Sequence, residues 1–208
     1  ILLTPRQAEL IFYKVGMVFL FAPLFHPAMK NIAMIRKELK IRTIFNILGP
    51  FANPASVKRQ LIGVPNLEIA KKLAKVGKKL SYEHLLIVTS KDGMDEISTY
   101  SNTHVFEINK NQTKKYIVDP QDFGFKKFDK KEISGGTIID NARIIKDILN
   151  GNKDPKRNLV VFNSAFALYV AGLVTDIKEG IRLAEESIDS GQAKTVLQNL
   201  IRETQKYA

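Results

Sequence analysis

The fold is constrained most strongly by two short apolar runs that flank an amphipathic segment. QLIGV at 60–64 and HLLIV at 84–88 have the length and composition of buried strands. The segment between them, 67–80, has helical periodicity, and a strand, a helix and a strand at this spacing predict a βαβ unit with parallel strands. The inward-facing residues of the predicted helix are Leu67, Ala70, Leu73, Ala74 and Leu80.

The rest of the chain predicts further helices, one hairpin and one more strand. Residues 103–109 and 113–119 flank a short turn and predict an antiparallel hairpin, and the apolar run at 16–21 predicts a buried strand. We therefore expect an α/β protein in which a parallel sheet is flanked by helices, with part of a small helical subdomain and a helical C-terminal tail. The predicted helices span 5–13, 27–39, 43–48, 138–149, 159–174 and 176–191, and a last one reaches the C-terminus.

The charge balance leaves several classes of partner open. With 32 Lys and Arg against 21 Asp and Glu, the formal net charge is +11, which suits nucleic acid, anionic small molecules or a lysine-rich surface. The lysines at 71–79 fit a solvated helix face, whereas those at 126–131 alternate with Phe125 and Phe128, which could stack on bases. Because no nucleic-acid-binding motif accompanies them, we favour a solvated surface and expect no nucleic-acid partner.

Composition also excludes several kinds of site. The chain contains no cysteine, which excludes disulfides and thiolate metal sites and is compatible with the cytoplasmic location that we expect. The apolar run at 15–25 is too short to span a bilayer and contains Pro23, so we expect no membrane association. Since the first residue is Ile1 rather than Met, we expect the chain to begin inside a longer protein.

Two loops follow predicted strands, where ligands bind in parallel α/β sheets. If both strands belong to one parallel sheet, the loops at 22–30 and 90–98 face the same crevice, and the first supplies His26. The second supplies Asp92, Asp95 and Glu96. Adjacent carboxylates suit Mg²⁺, which commonly joins one or two carboxylates to a substrate phosphate, although an ordinary solvated acidic pair is the alternative.

Other candidate groups have competing interpretations. The planar guanidinium of Arg36 matches a carboxylate, but Lys30, Lys37 and Arg42 lie on the same basic stretch and leave the choice open. His26 could equally be a neutral residue that caps the helix predicted from 27. The pair at 135–136 is the only Gly-Gly sequence, and we interpret it as a turn rather than a phosphate-binding loop.

The stretch GMVFLFAPLFHPAMKNIAMIRKELKIRTIFNILGPFANP, at 16–54, closely resembles the anthranilate phosphoribosyltransferases. The resemblance continues through KRQLIGV, DGMDEIS, NARIIKDILNG and NSAFALYVAGL and covers essentially the whole chain. It implies transfer of the phosphoribosyl group of phosphoribosyl pyrophosphate (PRPP) to anthranilate in tryptophan biosynthesis. It also implies a homodimer for the complete enzyme, with 1–25 and 57–208 in the large α/β domain and 26–56 in the small helical domain.

The resemblance assigns two groups of binding residues and no catalytic acid or base. Arg36 matches the arginine that binds the anthranilate carboxylate, and the wall of the anthranilate channel is matched by His26, Gly49 and Pro50.

The carboxylates that hold Mg²⁺ on the pyrophosphate are matched by Asp95 and Glu96. The family's glycine-rich PRPP loop, of the pattern Gly-Thr-Gly-Gly-Asp, is absent from these 208 residues. We therefore expect the chain to be the C-terminal part of the enzyme and to have little or no transferase activity alone.

Two rival functions remain. A pyrimidine nucleoside phosphorylase-like enzyme shares the fold type and would need its own glycine-rich phosphate loop. A non-enzymatic, basic nucleic-acid-binding relative would bind DNA with a steep salt dependence and would not bind anthranilate.

Overall fold

The computed structural model describes residues 2–26, 49–110, 112–126 and 130–207. Contacts divide the chain into two compact units, one formed by Ile1–Ser56 with Gly191–Ala208 and the other by Val57–Ser190. The domains expected from the resemblance, 1–25 with 57–208 and 26–56, have different boundaries and stay a prediction.

Seven α-helices and four strands occur in the described residues, together with short 3₁₀ helices at Gly49–Ala52, Pro120–Phe123 and Lys130–Ile133. The strands are β1 (Arg59–Gly63), β2 (His84–Ser90), β3 (Thr103–Asn109) and β4 (Gln112–Val118). The helices are α1 (Pro5–Val15), α2 (Ala22–Phe25), α3 (Leu67–Gly77), α4 (Ile138–Leu149), α5 (Pro155–Ala171), α6 (Ile177–Asp189) and α7 (Gln192–Gln205).

In the first unit, α1 begins with a capping box. The Thr4 hydroxyl accepts a hydrogen bond from the Gln7 amide at 3.3 Å, and the Gln7 side chain accepts one from the Thr4 amide at 2.8 Å. The buried face of α1, with Ala8 and Ile11, packs against Leu200 of α7. Local capping thus starts the helix and tertiary packing holds it.

The buried strand predicted at 16–21 is wrong. Gly16 ends α1 in the left-handed conformation, with φ of 79°, and the segment that follows belongs to no strand of the described sheet. Val18 and Leu20 pack instead against the apolar face of α1, which accounts for the apolar pattern. Residues 22–26 therefore do not follow a strand of the described sheet, and the rest of that loop and the helices predicted at 27–39 and 43–48 lie outside the described residues.

The second unit is built on a mixed sheet with the strand order β1-β2-β3-β4. β1 and β2 are parallel and joined through α3, which confirms the predicted βαβ unit, and β3 and β4 form the predicted antiparallel hairpin. β3 also pairs antiparallel with β2, so that only one pair of strands is parallel. The α/β class is confirmed, but the sheet is not parallel throughout, because the chain turns back after β2 without a second crossover helix.

The core of this unit lies between the sheet and α5. Leu86 and Val88 of β2 pack against Phe162, Phe166 and Val170 of α5. All seven residues of β2 are buried, and α3 packs on β2 and β3. Because successive side chains of a strand point to opposite faces, β2 is covered on both sides, as its continuous apolar sequence predicts.

The exposed lysines agree with the solvated helix face predicted at 71–79. All five lysines of 71–79 are exposed. Phe125 packs on Phe162 with ring centroids 4.6 Å apart, so it belongs to the core and is not available for stacking on bases, whereas Phe128 lies outside the described residues. None of the helices in the described ranges is both long enough and apolar enough to cross a membrane.

Candidate active site

The candidate metal-binding residues lie on the loop that follows β2, residues 91–98, which we call the acidic loop. It begins with a tight turn, in which the Ser90 amide donates to the Met94 carbonyl at 2.9 Å and the Gly93 amide donates to the Ser90 carbonyl at 3.1 Å. Gly93 has φ of 85°, a conformation that glycine adopts without steric cost. The turn places Asp95 and Glu96 just beyond the carboxyl end of β2, where the sequence predicts them.

Asp92 is part of the framework of the loop. Its carboxylate accepts hydrogen bonds from the Met94 amide at 2.9 Å and from the Ser98 hydroxyl at 3.1 Å. Burial acts to raise the pKa of Asp92, but these hydrogen bonds outweigh it and hold the pKa below its ordinary value. The Asp92 carboxylate, which the sequence groups with the metal-binding candidates, therefore binds other groups of the same loop.

The other end of the loop is held by Asn163 of α5. Its side-chain oxygen accepts from the Ile97 amide at 2.9 Å, and its side-chain nitrogen donates to the Ile97 carbonyl and to the Leu159 carbonyl, each at 2.9 Å. The amide of the next residue, Ser98, donates to the Thr103 hydroxyl at 3.1 Å. The backbone on both sides of Asp95 and Glu96 is thus fixed by side chains.

The end of β1 forms the floor beneath the loop. A Cβ built on Gly63 would overlap the carbonyl oxygen of Asp95. The loop backbone therefore lies directly against the Cα of Gly63, an approach that only glycine permits.

The carboxylates of Asp95 and Glu96 belong to exposed residues, which suits access by a ligand. Partial desolvation, together with the negative charge of Asp95, raises the pKa of Glu96. A cation would relieve the repulsion between the two groups. No cluster of three or more His, Cys, Asp or Glu that could hold a metal occurs within the described ranges. The two carboxylates by themselves fit Mg²⁺, which commonly takes one or two protein carboxylates and completes its coordination with water and substrate phosphate.

The anthranilate-binding residues expected from the resemblance lie in the other unit. His26 is the C-cap of α2, where its amide donates to the Ala22 carbonyl at 2.9 Å, and it is half-buried. Gly49 is exposed and, with Pro50, starts the 3₁₀ helix Gly49–Ala52. Arg36 lies outside the described residues. The roles given to these four residues stay predictions.

The glycine pair at 135–136 lies just before α4 and is held by the side chain of Asn141 on that helix. The side-chain oxygen of Asn141 accepts from the Gly136 amide at 2.9 Å, and its side-chain nitrogen donates to the Gly136 carbonyl at 3.2 Å. The Gly136 amide therefore already has a partner within the chain, and the interpretation of the pair as a turn stays a prediction.

A buried polar cluster in the second unit consists of His84 on β2, Glu107 on β3 and Tyr169 on α5. Glu107, which is 6% exposed, accepts a hydrogen bond from the Tyr169 hydroxyl at 2.8 Å and lies 2.9 Å from Nε2 of His84. The hydrogen bond with His84 is the main cause that holds the pKa of Glu107 below its ordinary value, against the effect of burial. The cluster borders an open groove of about 470 Å³. Because Glu107 is paired within the protein, we interpret the cluster as structural.

Sequence reasoning missed Asn163 and Gly63, although both carry a signal. Asn163 is a polar residue inside a segment that is apolar on nearly every side, and a partly buried amide in such a helix needs polar partners. Gly63 lies within a predicted strand, where glycine commonly marks a close approach of another backbone. Neither signal identifies the partner, which lies on a distant part of the chain.

This chain is similar to known proteins over nearly its whole length. The anthranilate phosphoribosyltransferase of Methanobrevibacter smithii is 46% identical over 204 residues, which are 98% of this chain and 61% of that protein. Two solved structures of anthranilate phosphoribosyltransferase from Saccharomyces cerevisiae are 30% identical to this chain. Each match covers 98% of this chain and 59% of the yeast chain. The complex with 4-fluoroanthranilate gives a TM-score of 0.90, and the complex with PRPP and Mg gives 0.89.

The family-level comparison covers nearly the whole sequence. The model of the glycosyl transferase family, a/b domain, matches residues 1–194. The βαβ unit, the acidic loop and the helix that supplies Asn163 all lie within that match. The chain therefore belongs to the glycosyl transferase family, a/b domain.

Proposed function

We propose that the protein containing this chain transfers the phosphoribosyl group of PRPP to anthranilate. The observation that carries the proposal is the acidic loop, which presents the Asp95 and Glu96 carboxylates from a backbone held on both sides. The likeness to the yeast enzyme solved with PRPP and Mg supports this assignment.

The proposed reaction does not require a strong base in the protein. The aryl amine of anthranilate is neutral near pH 7, so its nitrogen lone pair can bond to C1 of the ribose while the bond from C1 to the pyrophosphate oxygen breaks. The bonding pair leaves with pyrophosphate, and the amine proton is lost to solvent. The barrier lies in separating a negative pyrophosphate from a sugar that becomes cationic, and electrostatic stabilisation of the leaving group lowers it.

Asp95 and Glu96 would hold the cation that stabilises the leaving group. Mg²⁺, when bound, neutralises negative charge on the pyrophosphate oxygens. The protein's part is to hold two carboxylates on a rigid loop, so that no reorganisation is needed as charge develops.

The second substrate requires recognition of a carboxylate. Arg36 would bind it through two charge-assisted hydrogen bonds, and the channel beside it would be lined by His26, Gly49 and Pro50. Orientation of the amine toward C1 is then the main contribution of this part of the protein to the rate.

Mg²⁺ as the cofactor, PRPP and anthranilate as the substrates, a homodimer as the complete enzyme and a cytoplasmic location belong to the same proposal. They rest on similarity to the relatives and on the residues present.

The proposal is tested with the protein as its gene encodes it, mixed with anthranilate, PRPP and Mg²⁺, by following the loss of anthranilate fluorescence. The double variant Asp95→Asn with Glu96→Gln removes both charges and keeps the side-chain shapes. We expect kcat to fall by a factor of about 100 or more, as for loss of a main electrostatic contribution, with the circular dichroism spectrum unchanged. Parental kcat and parental Mg²⁺ dependence in the double variant would exclude this role.

The same preparation separates the two rival functions. A nucleoside phosphorylase would cleave pyrimidine nucleosides in phosphate and leave anthranilate fluorescence constant. A nucleic-acid-binding relative would bind DNA with an affinity that falls steeply with salt, and would not turn over PRPP.

A further inference from the structure

Asp95 and Glu96 owe their position to residues that are distant in the sequence. Asn163 on α5 makes two hydrogen bonds of 2.9 Å with the backbone of Ile97, the residue that follows Glu96. Its third hydrogen bond, to the Leu159 carbonyl one helical turn earlier, fixes the orientation of the amide group. One side chain thus satisfies the amide and the carbonyl of the same loop residue.

Gly63 restricts the loop from the opposite direction. Because a Cβ at this position would overlap the Asp95 carbonyl oxygen, the loop can take its observed path only over glycine. Gly63 is an exposed residue at the end of β1, so a packing requirement of the core does not account for it.

We propose that Asn163 and Gly63 are positioning residues for the cation site of the proposed reaction. Asn163 holds the backbone after Glu96, Gly63 admits the backbone of Asp95, and together they set the distance between the two carboxylates. The inference rests on the proposed function, because it takes Asp95 and Glu96 to be the residues that bind the metal ion.

Asn163→Ala and Gly63→Ala separate the two contributions. Asn163→Ala releases the Ile97 backbone, while Gly63→Ala pushes the Asp95 carbonyl away without removing a hydrogen-bonding group. Each has a matched control. Tyr169→Phe removes a buried hydrogen bond from the same helix as Asn163 but away from the loop. Gly180→Ala adds a Cβ that would meet the Ala165 carbonyl oxygen at 2.9 Å, a milder contact with a backbone carbonyl than the overlap at Gly63.

The principal measurement is metal affinity rather than turnover. Mn²⁺, which replaces Mg²⁺ and is visible by electron paramagnetic resonance, is titrated into the protein as its gene encodes it, in the presence of inorganic pyrophosphate. Residues that orient metal ligands typically contribute a factor of 10–100 to metal affinity, so we expect Asn163→Ala and Gly63→Ala each to weaken Mn²⁺ binding by about tenfold or more. The two controls should bind Mn²⁺ like the parent.

Two further measurements distinguish positioning from general stability. Hydrogen exchange of the Ile97 amide should become faster in Asn163→Ala than in Tyr169→Phe, even when the two variants have similar melting temperatures. In the transferase assay of Asn163→Ala and Gly63→Ala, the Mg²⁺ concentration that gives half of the maximal rate should rise and kcat should fall. The anthranilate KM should be unchanged.

Each outcome bears on the inference. Parental Mn²⁺ affinity in Gly63→Ala, or in a folded Asn163→Ala, would overturn it. If Asp95→Asn with Glu96→Gln still loses Mn²⁺ in that case, the proposed function stands without the inference. If the double carboxylate variant itself keeps parental Mn²⁺ affinity, the pair is not the metal site and both proposals are wrong.

Discussion

Tyr169→Phe tests how much the hydrogen bond from Tyr169 to the buried Glu107 carboxylate stabilises the protein. The substitution removes one oxygen atom, whose hydrogen bond to the Glu107 carboxylate is 2.8 Å long, and keeps the ring that packs edge-on against His84 at a centroid distance of 5.0 Å. Because Glu107 is only 6% exposed, water does not readily replace the lost donor.

The magnitude follows from the charge of the acceptor. A hydrogen bond to a charged group contributes about 1.5–3 kcal/mol, so we expect the free energy of unfolding at pH 7 to fall by that amount. Tyr82→Phe is the matched control, since its hydroxyl donates to the neutral side-chain oxygen of Gln60 at 2.9 Å and should contribute about 0.5–1.5 kcal/mol. Urea denaturation followed by far-ultraviolet circular dichroism gives both values.

The pH dependence separates the two tyrosines. The hydrogen bond with His84 chiefly, and that with Tyr169 in addition, hold the pKa of Glu107 below its ordinary value despite burial. Stability from a lowered carboxyl pKa is fully present above the ordinary value of about 4.3 and is lost as the pH falls through the folded-state pKa. The effect of Tyr169→Phe should therefore shrink as the pH falls below the ordinary value and through the lower, folded-state pKa of Glu107, while that of Tyr82→Phe stays constant. An effect of Tyr169→Phe that stays constant even at a pH where Glu107 is protonated in the folded protein would refute the reasoning.

Two further predictions concern the substrate and the core. Arg36→Ala should raise the anthranilate KM about tenfold to a hundredfold, from the loss of about 1.5–3 kcal/mol, whereas Arg42→Ala should mainly lower stability; the reverse result in steady-state kinetics would show that Arg42 binds the carboxylate. Phe162→Ala should lower the free energy of unfolding by about 3–5 kcal/mol, because this fully buried ring contacts Phe125 and Phe166. A loss below about 1 kcal/mol in urea denaturation would contradict a core position.

Much of the local structure could be predicted from the sequence. The βαβ unit, the hairpin and the helices of the second unit follow from periodicity and from capping residues, such as Thr137, whose hydroxyl accepts from the Asp140 amide at the start of α4. These signals are local, since each depends on residues within one element. The same reasoning misassigned 16–21, because an apolar run can pack against a helix as well as enter a sheet.

The position of the acidic pair illustrates the division between sequence and tertiary structure. The sequence by itself determined that two adjacent carboxylates follow the buried strand β2. Their residue types suit Mg²⁺ but fit a solvated acidic pair as well, and only the resemblance to the family assigns them to a metal ion. Which residues hold them was decided by the fold, because Asn163 reaches Ile97 across 66 residues of sequence and Gly63 meets Asp95 from the neighbouring strand. A hydrogen bond or a steric contact between distant residues leaves no periodic pattern in the chain, so it becomes visible only once the elements are packed together.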